Sequence, residues 1–301
     1  MADTPVRLRS CWGAWASACL ALGVAACSPE AEGAPGDEAP AATHAYFTVE
    51  RARDADDDGV RTQVSARFLR LQEGSDPRVA AELVGAITEP PSRAGCQPLG
   101  ASGSRLALGG LTPVELARAG DVAVESSNRP THLTARAYPD VAHLVSGVVY
   151  TSPEVASDVP ADATSITFQV AAGERVPALR VTVPMPRGVD DLRVNGMPLR
   201  AAVATALGRA PITFTWSNDE GKTFLDVAAV EAGGAATRWR CVGDREGALA
   251  LPASIALTAS ALEVTAHHLT VSPFQAEALA GGQVQFDTTT SGRLPLADGG
   301  E

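Results

Sequence analysis

Along most of the chain apolar and polar residues alternate one for one, the period of a strand with one buried face and not the 3.6-residue period of a helix. The pattern begins at Ala45. YFTVERAR and VRTQVSARFLRL, separated by DADDDG, read as a hairpin in which Val64, Ala66 and Phe68 share one side and Arg61, Ser65 and Arg67 the other. AELVGAITE, DVAVES, HLTARAY, HLVSGVVY, SITFQV and ALRVTV follow, with Gly, Pro, Asn, Asp or Ser clusters between most of them. PRVAAELVGAI reads as a short helix and PVELARA as one helical turn, neither with a good cap and stop together.

In the second half Ile212, Phe214 and Trp216 alternate with Thr213, Thr215 and Ser217, the mark of a half-buried strand; NDEGK makes a turn and TFLDVAAV returns. In TRWRCVGD, Trp239 and Cys241 share the buried side while Arg238 and Arg240 face solvent. ALEVTAHHLTVSPF and GGQVQFDTTTSG complete this part. Many short strands at intervals of roughly 8 to 12 residues predict an all-β protein of two β-sandwich-like domains. VPMPRG at 183–188 interrupts any strand, because proline lacks the amide donor, and sets the junction. This gives an N-terminal β-rich domain at 45–185, a C-terminal sandwich at 186–290 and a flexible tail at 291–301. No period of 20 to 50 residues repeats three times or more, which disfavours a solenoid or propeller.

The N-terminus breaks the alternation. Arg7 and Arg9 precede an apolar, small-residue run from Cys11 to Ala26 that is too short to span a bilayer and reads as an export signal over residues 1–26. Val24-Ala25-Ala26-Cys27 resembles the lipobox of bacterial lipoproteins, a branched aliphatic and two small residues before the cysteine that is lipidated and becomes N-terminal. That resemblance implies a lipid anchor on Cys27; the competing reading is an ordinary signal peptide with a chance cysteine. SPEAEGAPGDEAPAAT then has no apolar period and reads as a flexible tether over 27–44. Ser28, where an inner-membrane retention signal would have aspartate, points to the outer membrane.

The chain has five cysteines. Cys11 and Cys19 leave with the signal and Cys27 carries lipid, so Cys96 and Cys241 remain. In an oxidising exported compartment an even remainder predicts one disulfide. The alternative is two buried thiols; a metal site is disfavoured because no second Cys or His lies close to either. A formal net charge of -11 excludes nucleic acid as a partner.

ITFTWSNDEGKTFLDVAAV followed by RWRCVGDREGALALPASIAL resembles a module of uncharacterised lipoproteins of myxobacteria and related bacteria: a T-x-T-W strand, a cysteine strand, then an apolar-x-x-P-A-S segment, here Leu249 to Ser254. AAGERVPALRVTVPMP resembles the stretch that leads into that module, and GCQPL matches a cysteine of its β-rich N-terminal part. The resemblance covers about residues 165 to 290 and implies an Ig-like fold for the C-terminal domain, on a lipid anchor, with no activity attached. Trp216-Ser217-Asn218-Asp219 departs from the W-x-P-G turn of those proteins.

Candidate chemistry is sparse. Asp54, Asp56 and Asp58 in DADDDG match D-x-D-x-D-G, the first half of a calcium loop, in which alternate carboxylates converge on one hard cation. The twelfth position, Glu in an EF-hand, is Ser65, and the flanks read as strands, which excludes a complete EF-hand. A calcium-stapled β-loop competes with a solvated acidic turn. His267 and His268 face opposite sides of a strand, and His44, His132 and His143 have no i+2 or i+4 histidine partner. GASGSR is not a G-x-S-x-G elbow, and neither H-E-x-x-H nor a P-loop occurs. Trp216, Trp239 and Phe214 read as core, with sugar stacking the rival role. The expected function is structural or protein-binding, by a protein held on the membrane through its lipid and facing an envelope protein or glycan, without a cofactor. The alternatives are a calcium-dependent adhesion module using Asp54 to Asp58, and a hydrolase of envelope glycans or peptides built on carboxylates paired in space.

Overall fold

A computed structural model describes residues 41–57, 59–99, 113–126, 130–141, 144–153, 159–160, 163–188, 191–208, 211–217 and 221–297. β1 (Ala41–Asp54) and β2 (Val60–Gln72) form the expected hairpin, in register from Ala41 opposite Gln72 to Arg53 opposite Val60. α1 (Pro77–Leu83) follows. Its cap is Asp76, whose carboxylate accepts the N–H groups of Arg78 at 2.8 Å and Val79 at 3.4 Å. Gly85, at φ 63°, lets the chain turn out of the last helical residues, and the Ala86 N–H closes onto the Ala81 carbonyl at 2.7 Å.

The first half continues with β3 (Gly95–Pro98), β4 (Val114–Leu116), β5 (Val122–Glu125), β6 (Pro130–His132), β7 (Thr134–Val141), β8 (Val145–Thr151), β9 (Ser165–Val170) and β10 (Leu179–Pro184). PVELARA, expected as a helical turn, is instead the strand β4. Val114 and Leu116 are buried, and Glu115 between them meets Arg70 and Arg175, a period of two that outweighs helical propensity. The second half holds β11 (Arg193–Val194), β12 (Met197–Pro198), α2 (Leu199–Ala202), β13 (Thr213–Thr215), β14 (Lys222–Glu231), β15 (Ala236–Val242), β16 (Ala248–Ala250), α3 (Ala253–Ala256), β17 (Ala259–Phe274) and β18 (Gly281–Pro295).

One ten-stranded sheet organises these elements, in the order β3-β15-β14-β17-β18-β1-β2-β4-β8-β7. Two four-stranded sheets, β10-β9-β5-β6 and β12-β11-β13-β16, complete an all-β, sandwich-like architecture. Both small sheets cover the same face of the large one. Ala45, Phe47 and Val49 of β1, Val64, Ala66 and Phe68 of β2, and Val284 and Phe286 of β18 pack against Ile166, Phe168 and Val170 of β9. Phe47 stacks on Phe168 with ring centroids 4.2 Å apart. Further along the same face, Leu225 and Val227 of β14, Leu262 and Val264 of β17, and Leu294 of β18 pack against Val194, Phe214 and Leu249. A third cluster on the opposite face seats α1 on Tyr46, Leu69 and Leu71.

The expected junction at residues 185 and 186 separates neither the sheets nor the cores cleanly: Val284 and Phe286 belong to the first core and Ala55 to the second. β1 is joined in parallel to β18, from His44 opposite Gly281 to Asp54 opposite Ser291. The expected tail is also corrected: residues 291–295 continue β18, and Leu294 and Leu296 are buried, because their apolar side chains close the second core. The chain after Trp216 does not return as a hairpin either. β13 bonds to β11 and β16 in a small sheet, and β14 crosses into the large one.

Candidate functional site

Between the two cores the covered face of the large sheet turns polar. Thr223 of β14 lies opposite His268 of β17, and His268 opposite Thr288 of β18. His268 is 6% exposed, and its Nδ1 is 2.9 Å from the Thr223 hydroxyl. A cavity of about 880 Å3 opens at this seam, a volume within the range of small-ligand and peptide clefts. One wall is the 184–188 segment with Met185 and Arg187, and the other is Leu269 to Ser272 of β17, with Lys222 at the start of β14. Gly221, at φ 113°, brings the chain in so tightly that a Cβ there would lie 2.6 Å from the Leu269 carbonyl oxygen.

The cavity brings together Ser217, His268 and Asp191. Their connections are not those of a nucleophile relay, in which imidazole stands between hydroxyl and carboxylate. Ser217 gives both its hydroxyl and its N–H directly to the Asp191 carboxylate, and the imidazole Nδ1 faces Thr223 instead. Ser217 is held as an anchor of the 191 turn.

The opposite face of the large sheet carries a second polar constellation. Arg240 of β15 donates two hydrogen bonds of 2.8 Å to Asp226 of β14, and its guanidinium lies 4.7 Å from the Phe224 ring centroid. His267 stacks on Phe224 at 4.6 Å, sets Nδ1 3.1 Å from Asp287 and Nε2 3.6 Å from Asp226. Glu50 of β1 lies opposite Asp287. Partial loss of hydration first, and then the charge of Asp287, push the Glu50 carboxyl above its ordinary range; Arg67 and His267 offset part of this. Burial holds the Arg67 guanidinium below its ordinary value, and Asp226 holds that of Arg240 above it.

Of the residues singled out in the sequence, Cys96 and Cys241 come together: they are opposite one another in β3 and β15 with sulfurs 2.07 Å apart. Trp216 is 6% exposed and Phe214 fully buried, and Trp239 packs against the second core. His267 and His268 face opposite sides of β17. In the acidic turn, Asp54 pairs with Arg61 at 3.0 Å and accepts the Ser291 hydroxyl, while Asp57 accepts the Gly59 N–H at 3.0 Å. Asp56 is exposed, and Asp58 and Cys27 lie outside the described residues. Among the described residues no three His, Cys, Asp or Glu side chains converge as metal ligands, and no helix is long and apolar enough to cross a membrane. Neither the cavity nor the charged row was found in the sequence. Their members are scattered from Glu50 to Asp287 and meet only through strand register; the lone lysine, Lys222, was the one available signal.

Comparison with protein-family profiles and with characterised proteins finds no match for this chain.

Proposed function

We propose that this protein is a lipid-anchored binding protein of the bacterial cell envelope, held through Cys27 after removal of an export signal, on the outer membrane, and that it performs no catalysis. The observation that carries the reading is the cavity beside β17: its volume and mixed lining suit a ligand, and its Ser217 gives its hydroxyl to Asp191 while the Nδ1 of His268 faces Thr223. The lipobox-like VAAC, followed by a Pro-rich acidic tether, supports the anchor.

Two measurements test this. Cys27→Ser should leave the protein unprocessed or release it from the membrane fraction; unchanged attachment overturns the anchor. A photo-cross-linking residue in place of Ser272, on the cavity wall, should give one reproducible adduct in intact cells, and its absence, with adducts forming instead from remote surface positions, overturns the assignment of the binding site.

A further inference from the structure

We infer that the cavity receives an extended peptide with an acidic residue, which adds as a short strand to the edge of β17 at Val271. This deepens the binding role proposed above and rests on it.

β17 runs past the end of its neighbour. β14 begins at Lys222, opposite Leu269, and Gly221 just before it lies against Thr270; among the described residues Val271 to Phe274 continue with only β18 beside them, from Thr270 opposite Phe286 to Phe274 opposite Gly282. In an antiparallel strand the backbone groups of alternate residues point to alternate neighbours. The even residues of β17 point toward β18, as the Leu296 N–H bonded to the Ser260 carbonyl at 3.0 Å shows. The odd residues point toward β14, as the Leu269 carbonyl against Gly221 shows. The register is unbroken through this stretch. The N–H and C=O of Val271 therefore face the open side, where no strand lies among the described residues.

Pro273 is the next residue with that orientation, and its missing N–H is on the same side. Proline at such a place is how a sheet edge is kept from pairing without limit. The usable edge is thus one residue long: Val271 can exchange two hydrogen bonds with a single peptide residue.

Three observations select the occupant. The repeat of one donor and one acceptor on a strand edge matches a peptide backbone. Val271 is 53% exposed, a large apolar side chain left for contact by the incoming strand. Thr270, also on the cavity wall, has a hydroxyl without a hydrogen-bond partner. Charge supplies the rest. Lys222 and Arg187 line the cavity and have no carboxylate partner among the described residues, in a chain of net charge -11. A carboxylate on the peptide is their complement.

The test is selection of a randomised ten-residue peptide library on the purified full-length protein in detergent micelles, followed by titration of the best synthetic peptide. Enriched peptides should carry Asp or Glu beside a run of β-formers. N-methylation of one backbone amide should weaken binding by about tenfold, the size of one or two hydrogen bonds, and Lys222→Glu should weaken it by at least as much. Val271→Pro removes the edge donor; because its misfolding would imitate the result, the N-methyl scan on the unaltered protein decides. No enrichment, a flat N-methyl scan with unaltered binding to Lys222→Glu, or binding of envelope oligosaccharide fragments in place of peptides overturns the proposal. Such a failure, with Cys27-dependent attachment and a cross-linked partner intact, would leave the broader binding role standing.

Discussion

Glu50 shows how a register decides a residue's chemistry. Its carboxyl is pushed up first by partial loss of hydration and then because β1 sets it opposite Asp287, with Arg67 and His267 offsetting only part of the cost. A carboxyl raised by folding contributes stability that is complete below its unfolded value and is lost as pH rises through the folded one. Glu50→Gln removes that dependence. The melting temperature of the variant minus that of the unaltered protein should therefore grow between pH 4.5 and pH 7; a difference that stays constant across this range would mean that Glu50 feels no such penalty. None of this was legible in the sequence, where Glu50 and Asp287 are ordinary polar positions of two alternating strands. What the alternation did carry was the burial of each side chain within its own strand: Val64, Ala66, Phe68, Ile212, Phe214 and Trp216 are all in the core.

Among the elements, β3 depends most on a single bond. It sits at the edge of the large sheet against β15, reached by a segment that is fixed midway by Gln285, whose amide both accepts the Thr88 N–H and donates to the Thr88 carbonyl at 2.8 Å. The Cys96–Cys241 bridge pins its far end across 145 residues of sequence. Replacing both cysteines by alanine should lower stability by about 2–4 kcal/mol, read as a lower denaturant midpoint, and should speed hydrogen exchange at the amides of residues 95 to 97 before any other strand. Equal exchange with and without the bridge would show that backbone pairing alone holds β3. The pairing of these cysteines followed from counting them. Other elements carry local signals of their own: Asp76-Pro77 before an apolar run marks a capped helix start, and Asn195-Gly196, at φ 50° and 79°, is a two-residue hairpin turn between β11 and β12. The path from β13 to β14 had none, because alternation reports that a strand is half-buried and not which sheet buries it.

For the whole molecule the decisive pairing is β1 with β18. The proline-rich junction lies between strands of the two small sheets, but the parallel pairing of β1 with β18 joins strands from either side of it, and each core takes residues from both sides. Local patterns carry no information about contacts at such separations. Ending the chain at Ala280 removes the strand between β17 and β1, and the product should show no cooperative thermal transition, while near-unaltered melting would mean that the two lobes stand alone. The place of β18 also fixes when the protein can fold. Ribosomes deliver β1 well before β18, so the β1–β2 hairpin and the β14–β17 pair have no strand to join them until β18 has been made. Closing such distant pairings is slow. The nascent protein thus stays open for as long as β18 is unmade, its two halves free of one another.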